Sequence, residues 1–278
     1  MDSKVITLEQ AAGLVHDGMC LAMGGNTLHR APMAFLRELA RQGRRGLRLI
    51  KTAGAHDIDL LCAYGCVASV DAGFVSYETQ HGLALHYRRA VEKGEVVANE
   101  HACYTVISGL RAAAAGIPFM PVRGLVVSDL LRVNPAFSVL EDPFGSGSVA
   151  VVRALRPDVA VLHVHRCDRQ GNAIIDGPRF EDELLARAAT RVILTTESIL
   201  PENSREICPE RVHIPGFLVE AVVHVPKGAA PGACYGLYEP DSKQLKTFLA
   251  LKEQGQLHDY LASWENADRK KERGWARG

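Results

Sequence analysis

The sequence predicts an α/β protein: an open, mostly parallel sheet with helices on both faces. Three observations predict it. Short apolar, β-branched runs alternate with helical patterns along the chain, which is the rhythm of βα units. Several of those runs, Val159–Val164 among them, are apolar at almost every position, as strands covered on both faces are. Between the run Met19–Met23 and an amphipathic segment starting at Pro32 lies Gly24-Gly25-Asn26-Thr27, a strand-to-helix turn built on glycine.

The elements follow in order. Thr7 is placed to cap a first helix over Leu8–Val15. Strands are expected at Met19–Met23, Leu47–Thr52, Ser69–Gly73, Pro118–Pro121, Val149–Val152, Val159–Val164, Arg191–Thr196 and Val219–Val223. Helices are expected at Pro32–Gln42, Leu60–Tyr64, Leu83–Lys93, Ala102–Ala115 and Phe180–Ala189, and from Ser242 to about Asn266. Residues Arg123–Gly147 show no regular pattern, and a structureless stretch of that length in a compact chain reads as a functional loop. There is no repeat and no Pro/Gly/Ser-rich linker, so residues 1–268 form one domain. Residues 269–278 are expected to be a flexible basic tail.

Composition narrows the function. The chain has 278 residues, 47% hydrophobic and 23% charged, enough for a sizeable core. Lys and Arg number 32 and Asp and Glu number 32, a formal net charge of zero, which argues against a nucleic-acid partner. No apolar run is long enough for a bilayer, so no membrane partner is expected. Met1-Asp2-Ser3-Lys4 opens no secretory pattern, so a cytoplasmic location is expected. Seven scattered cysteines, an odd number, read as free thiols in a reducing compartment. Cys62 and Cys66 are the only close pair and lack a second ligand pair. His163 and His165 alternate along one strand face; a structural role is expected there, and no metal site.

The chemistry-bearing residues are few. The glycine turn suits an acyl or carboxylate oxygen better than a nucleotide, because it lacks both GxGxxG and Gly-Lys-Ser/Thr spacing. Glu100 stands just before a helix, where a carboxylate caps; it is also a candidate base or substrate-orienting group. Arg123 is a candidate anion clamp and Ser128 a hydroxyl donor. No nucleophile elbow, SxxK or zinc motif is present.

These residues resemble the α subunit of the family I CoA-transferases, most nearly the glutaconate CoA-transferase type. The matching features are Gly24-Gly25 with Arg30 and Pro32, the Ala-Ala-Ala-Gly-Ile-Pro-Phe-Met-Pro-Val segment ending at Val122, Asp142-Pro143-Phe144, and Asp158-Val159-Ala160. The last and most specific is the run from Ile214-Pro-Gly through Val-Glu-Ala-Val-Val and Pro226-Lys-Gly-Ala to Cys234-Tyr-Gly-Leu-Tyr238. The resemblance spans Val5 to Tyr238.

It implies a partner β subunit, in a heterodimer or an α2β2 heterotetramer, and coenzyme A as a substrate with no permanently bound cofactor. It implies transfer of CoA from an acyl-CoA to a small carboxylic, even dicarboxylic, acid through a glutamate on the partner chain. This chain then supplies the opposite wall: Gly24, Gly25 and Asn26 against the acyl or carboxylate oxygen through backbone N–H groups, Ser76 for the distal group, and Arg30 and Arg123 as anion partners. On that reading Gly25→Val removes activity and keeps the fold. Many relatives carry Gly-Gly-Phe where this chain has Gly-Gly-Asn26, a more polar wall. A related branch resembles the α chain of steroid-ring-cleaving hydrolases, which open a cyclic diketone acyl-CoA; Glu100 is the catalytic candidate on that alternative. A third alternative is a non-catalytic ligand-binding or structural role.

Overall fold

The computed structural model describes residues 3–145, 147–201 and 204–269. Helix α1 (Leu8–Gly13) begins at Thr7, whose side chain accepts the Gln10 N–H while Gln10 reaches back to the Thr7 N–H. Then come β1 (Cys20–Met23), α2 (Met33–Arg41), β2 (Leu47–Gly54), α3 (His56–Ala63), β3 (Val67–Val75), α4 (Glu78–His81), α5 (Leu85–Glu92) and β4 (Val97–Glu100). Helix α6 (Cys103–Ala114) leads to β5 (Phe119–Val122), α7 (Leu130–Val133), β6 (Phe137–Glu141) and β7 (Ser148–Arg153). The chain continues through β8 (Val159–Cys167), β9 (Ala173–Ile174), α8 (Asp182–Ala188), β10 (Arg191–Ile199), β11 (Val219–His224), α9 (Ser242–Leu249) and α10 (Gln254–Arg269).

The main sheet runs β11-β10-β8-β1-β2-β3-β4 with every neighbour parallel, and the short β9 pairs antiparallel with β8. The expected open parallel sheet is present. Alternation along its strands divides the core in two. Leu21, Met23, Val159, Val161, Ile193, Ala221 and Val223 face α1, α2, α3 and the C-terminal helices. Ala22, Ala160, Leu162, Val192, Leu194 and Val222 face α6 and α8. This is why those strands read as continuous apolar runs.

Two sequence expectations are corrected. Strands β5 and β7 do not join the parallel sheet; with β6 they form a second, antiparallel sheet in the order β5-β7-β6. Pro121 has no N–H to give a ladder, which suits β5 to an edge position. Residues 123–147 are also not structureless: they hold α7 and β6. Pairing with β7, and not local propensity, makes β6 a strand.

The C-terminal helical segment is two helices. Gln256 Oε1 accepts the N–H groups of Lys252 and Glu253 at the break. Arg269, expected to begin the tail, is the last residue of α10 and donates to Glu38 at 3.0 Å; residues 270–278 lie outside the described residues. No described helix is long and apolar enough to cross a membrane. None of the seven cysteines is paired, and burial pushes the Cys66 thiol up to about 11.

Candidate functional site at the carboxyl ends of the parallel strands

The strand order reverses between β1 and β8, so the crevice beyond their carboxyl ends is where an open α/β sheet takes its ligand. The glycine turn sits there. Gly24 donates to the Val161 carbonyl at 2.9 Å and lies so close to α8 that a Cβ would stand 2.6 Å from Asp182 Oδ1. Gly25 has φ +70° and donates to Asp182 Oδ1 at 2.8 Å. The other oxygen of Asp182 takes Arg30 Nη1 at 2.5 Å, and Arg30 also donates to the carbonyls of His163 and Pro178. On the opposite side, the buried Lys51 ammonium donates to the carbonyls of Met23 and Gly24 and lies 3.2 Å from Asp57. The turn is therefore held at its N–H side by an anion and at its carbonyl side by a cation, each neutralised within the chain.

This geometry bears on how the turn meets a ligand. Asn26 N donates to His29 O at 2.9 Å, so the N–H groups of Gly24, Gly25 and Asn26 all have acceptors inside the chain. Asn26 and Leu28 are half-buried in this turn, and His29 is its exposed residue. The expectation that Gly25→Val spares the fold is corrected: a side chain there collides with the His29 carbonyl and the Arg30 backbone.

A second network lies under the Pro226–Tyr238 loop. His163 Nδ1 is 2.9 Å from Thr195 Oγ1, and its Nε2 is 2.8 Å from Glu197 Oε1. Tyr238 Oη donates to the same carboxylate at 2.5 Å and the Lys227 N–H donates to its other oxygen at 2.7 Å. Burial alone raises the Glu197 carboxyl, but the hydrogen bonds from His163, Tyr238 and Lys227 outweigh it and hold it down at about 2. Gly228 packs on the His163 ring, where a Cβ would stand 2.8 Å from Cε1. The string from Pro226 to Tyr238 thus has a physical reason: it closes a buried carboxylate.

His163, Glu197 and Cys234 offer donor atoms within 4.8 Å of one another. Burial, then the Glu197 charge, push the Cys234 thiol up to about 12. His163, Tyr238 and the Lys227 N–H all meet the Glu197 carboxylate, which makes one hydrogen-bonded cluster of residues from β8, β10 and the Pro226–Tyr238 loop. His165 accepts the Asp176 N–H at Nδ1 and meets the Tyr235 carbonyl at Nε2.

The remaining sequence candidates are placed as follows. Ser76 follows β3; its Oγ donates to Gly82 O at 2.7 Å and is half-exposed. Glu100 is not a helix cap. It is the last residue of β4, paired with Ala72, with its side chain exposed and its carbonyl bound by Asn134 Nδ2. The cap of α6 is made at Ala102, whose N–H goes to Thr105 Oγ1. Arg123 follows β5, is exposed, and lines a cavity of about 680 Å³ with Asp142 and Phe144 beside the second sheet. Ser128 Oγ accepts the Leu130 N–H at 3.3 Å. No bond joins Arg123 or Ser128 to Glu100, so the acid, arginine and serine do not form one polar cluster.

Sequence reasoning missed Lys51, Asp182, Glu181, Thr52 and Glu197. Lys51 had a signal, a lone cation inside an apolar strand. Thr52 Oγ1 donates to Glu181 Oε2 at 2.8 Å at the crevice mouth. Backbone strain marks the same edge. Five described non-glycine residues have positive φ: Thr27, Arg30, Phe180 and Lys227 in loops, and Glu78 at the start of α4, all after strands on the carboxyl-end side of the sheet. Phe74, Tyr104 and Phe180 stand 40%, 52% and 39% exposed around it.

An open parallel sheet with a strained, charge-clamped turn at its switch point defines an open α/β protein whose candidate ligand site is the crevice beyond its strand ends. The chain belongs to the coenzyme A transferase family, which matches residues 5–225. It is 40% identical over 90% of its length to an uncharacterised protein of Archaeoglobus fulgidus, of which it spans 56%. It is 33% identical to a 3-oxoadipate CoA-transferase subunit of Pseudomonas knackmussii, covering 87% of this chain and 86% of that one. It is 32% identical to the cholesterol ring-cleaving hydrolase IpdA subunit of Rhodococcus jostii, covering 81% and 79%.

Among solved structures, glutaconate coenzyme A-transferase from Acidaminococcus fermentans superposes with a TM-score of 0.89 at 30% identity, over 99% of this chain and 93% of that one. The decarboxylase AibA/AibB superposes with a TM-score of 0.85 at 38% identity, over 94% and 98%.

Proposed function

We infer that the chain is the α subunit of a two-chain CoA-transferase, working with a β subunit in a heterodimer or an α2β2 heterotetramer. The observation that carries the reading is the charge-clamped turn at the switch point, together with exposed Phe74, Tyr104 and Phe180 at the carboxyl-end side of the sheet, apolar surface that a second chain would cover. Relatives named as CoA-transferase subunits support it. Coenzyme A is a substrate here, not a resident cofactor, and a cytoplasmic setting fits seven unpaired thiols.

In this reading a glutamate carboxylate of the partner chain attacks the acyl-CoA carbonyl. The thioester C–S bond breaks, CoA leaves as its thiolate, and an acyl-glutamyl anhydride forms. The thiolate returns to the glutamyl carbonyl, releasing the first acid and leaving an enzyme-CoA thioester for the acceptor carboxylate. This chain supplies the opposite wall. Gly24 and Gly25 set its shape, Asn26 offers its carboxamide to the acyl or carboxylate oxygen, and Ser76 holds the distal group. Arg30 acts through Asp182 on the turn, and Arg123 and Ser128 serve anionic groups further out. The test is to incubate the assembled pair with acyl-CoA, trap with borohydride or hydroxylamine, and map the modified residue by mass spectrometry. A modified glutamate on the partner chain is the expected result; an unmodified pair that still turns over acyl-CoA rejects the covalent transferase.

One observation favours a second reading. Glu100 is exposed at the carboxyl end of the edge strand, on the same side as the switch point, and the IpdA relative is a hydrolase by name. A ring-opening or hydrolytic reaction dependent on Glu100 is the alternative.

A further inference from the structure

We propose that the groove between α6 and α8 is a binding site for a ligand that carries a hydrogen-bond donor close to an anionic group, with Glu181 taking the donor and Arg111 and Arg187 the anion. The inference deepens the function proposed above and rests on it for the identity of the ligand. The groove encloses about 490 Å³ and is lined by Ile107 and Arg111 of α6, Leu184 and Arg187 of α8, and Phe180 and Glu181 at its head. Ile107 and Arg111 stand four apart on one helix, and Leu184 and Arg187 three apart on the other, so each pair shares a face. Both helices pack on the same side of the sheet.

The polar groups are poised for something other than each other. Glu181 Oε2 is fixed by the Thr52 hydroxyl at 2.8 Å, and Oε1 has no hydrogen-bond donor among the described residues. An ionised carboxylate is an acceptor only, so what it takes is a hydroxyl or an amide N–H. Arg187 donates through Nε to the Glu183 carbonyl, and neither it nor Arg111 has a carboxylate partner among the described residues. Two guanidinium forks in one groove suit a carboxylate or a phosphate. From Glu181 to Arg187 is six residues of helix, about 9 Å, which the arginine side chains shorten by reaching back. The floor between them is apolar, made by Ile107 and Leu184. Phe180, at the head, is held at φ +50°, a strained conformation for an aromatic residue.

Two sources share this chemistry. One is a hydroxy acid acting as acyl acceptor. The other is the phosphopantetheine arm of coenzyme A, with amide N–H groups, an apolar gem-dimethyl carbon and a phosphate. Isothermal titration of the full chain with 3-hydroxyglutarate, glutarate and 4′-phosphopantetheine separates them. One of the two donor-bearing probes is expected to bind. Arg111→Ala and Arg187→Ala each weaken it about tenfold. Glu181→Gln weakens the donor-bearing probe and leaves glutarate unchanged. All three side chains are at or near the surface, so melting temperatures should stay close to that of the parent chain.

Binding of 3-hydroxyglutarate assigns the groove to the acid, and binding of 4′-phosphopantetheine assigns it to coenzyme A. Failure of both probes to bind, or binding indifferent to the three substitutions, overturns the proposal. The titration needs no turnover, so its failure is separate from failure to trap a glutamyl adduct.

Discussion

Arg30 and Asp182, 152 residues apart in sequence, meet at 2.5 Å with both side chains buried, and the same carboxylate takes the Gly25 N–H at 2.8 Å. One ion pair thus ties α8 to the turn after β1. Buried pairs of this kind are costly to break singly, because the surviving charge has no water to turn to. Asp182→Ala should lower unfolding stability by about 3–5 kcal/mol. The replacement of both residues by apolar ones should cost less than the two single changes summed. Urea unfolding of the two singles and the double measures the coupling; additive losses would show that the pair is not coupled.

Gly25 is a position where backbone conformation and space agree. Its φ is +70°, and a Cβ would overlap the His29 carbonyl. Gly25→Val is expected to destabilise by about 2–5 kcal/mol, from left-handed strain together with overpacking. Gly25→Ala should cost less. Loss of activity in Gly25→Val is then a folding effect, and the melting temperature reports it. A variant that melts with the parent chain would show that the turn can open.

Much of this fold was legible, and the reasons differ by element. Strands Val159–Val164 and Arg191–Thr196 were readable because both faces are covered, which leaves a continuous apolar run. Strands β4 and β6 were not, because exposed edge strands owe their state to a neighbour's ladder and not to their own pattern, and the buried β9 is only two residues long, too short to show a pattern. The glycine turn was legible as a turn. Its clamp was not, because Lys51 and Asp182 reach it from β2 and α8, and nothing local in the sequence predicts that convergence. Glu100 misled for a related reason: a carboxylate two residues before a helix looks like a cap, yet pairing with β3 carries Glu100 into a strand.

Glu197 gives the protein a pH signature. Its folded value of about 2 lies below the ordinary 4.5, so it stabilises the fold above about pH 4.5, and that stabilisation is lost as pH falls towards 2. Tyr238→Phe removes one of its donors. The expected cost near neutral pH is about 1–2 kcal/mol, with the acid-unfolding midpoint shifted upwards. From this group alone, parent and variant converge below pH 2. Parallel acid titrations followed by circular dichroism check both parts; an unchanged midpoint would mean the Tyr238 bond is not made in solution.

Glu100 separates the two chemical readings. Its side chain is exposed on β4, where the backbone is held by pairing with Ala72 and by Asn134 Nδ2 at 2.8 Å. Glu100→Ala leaves both backbone contacts in place, so the fold should be unaffected within about 0.5 kcal/mol, as for other surface substitutions. With the nucleophile on the partner chain, the variant pair should keep its rate of CoA transfer within a few-fold. The measurement is single-turnover CoA transfer by the assembled pair, alongside release of free CoA. A loss of several orders of magnitude at unchanged stability would give Glu100 the proton- or water-handling role of a hydrolase, since a group reached only through packing does not cost that much.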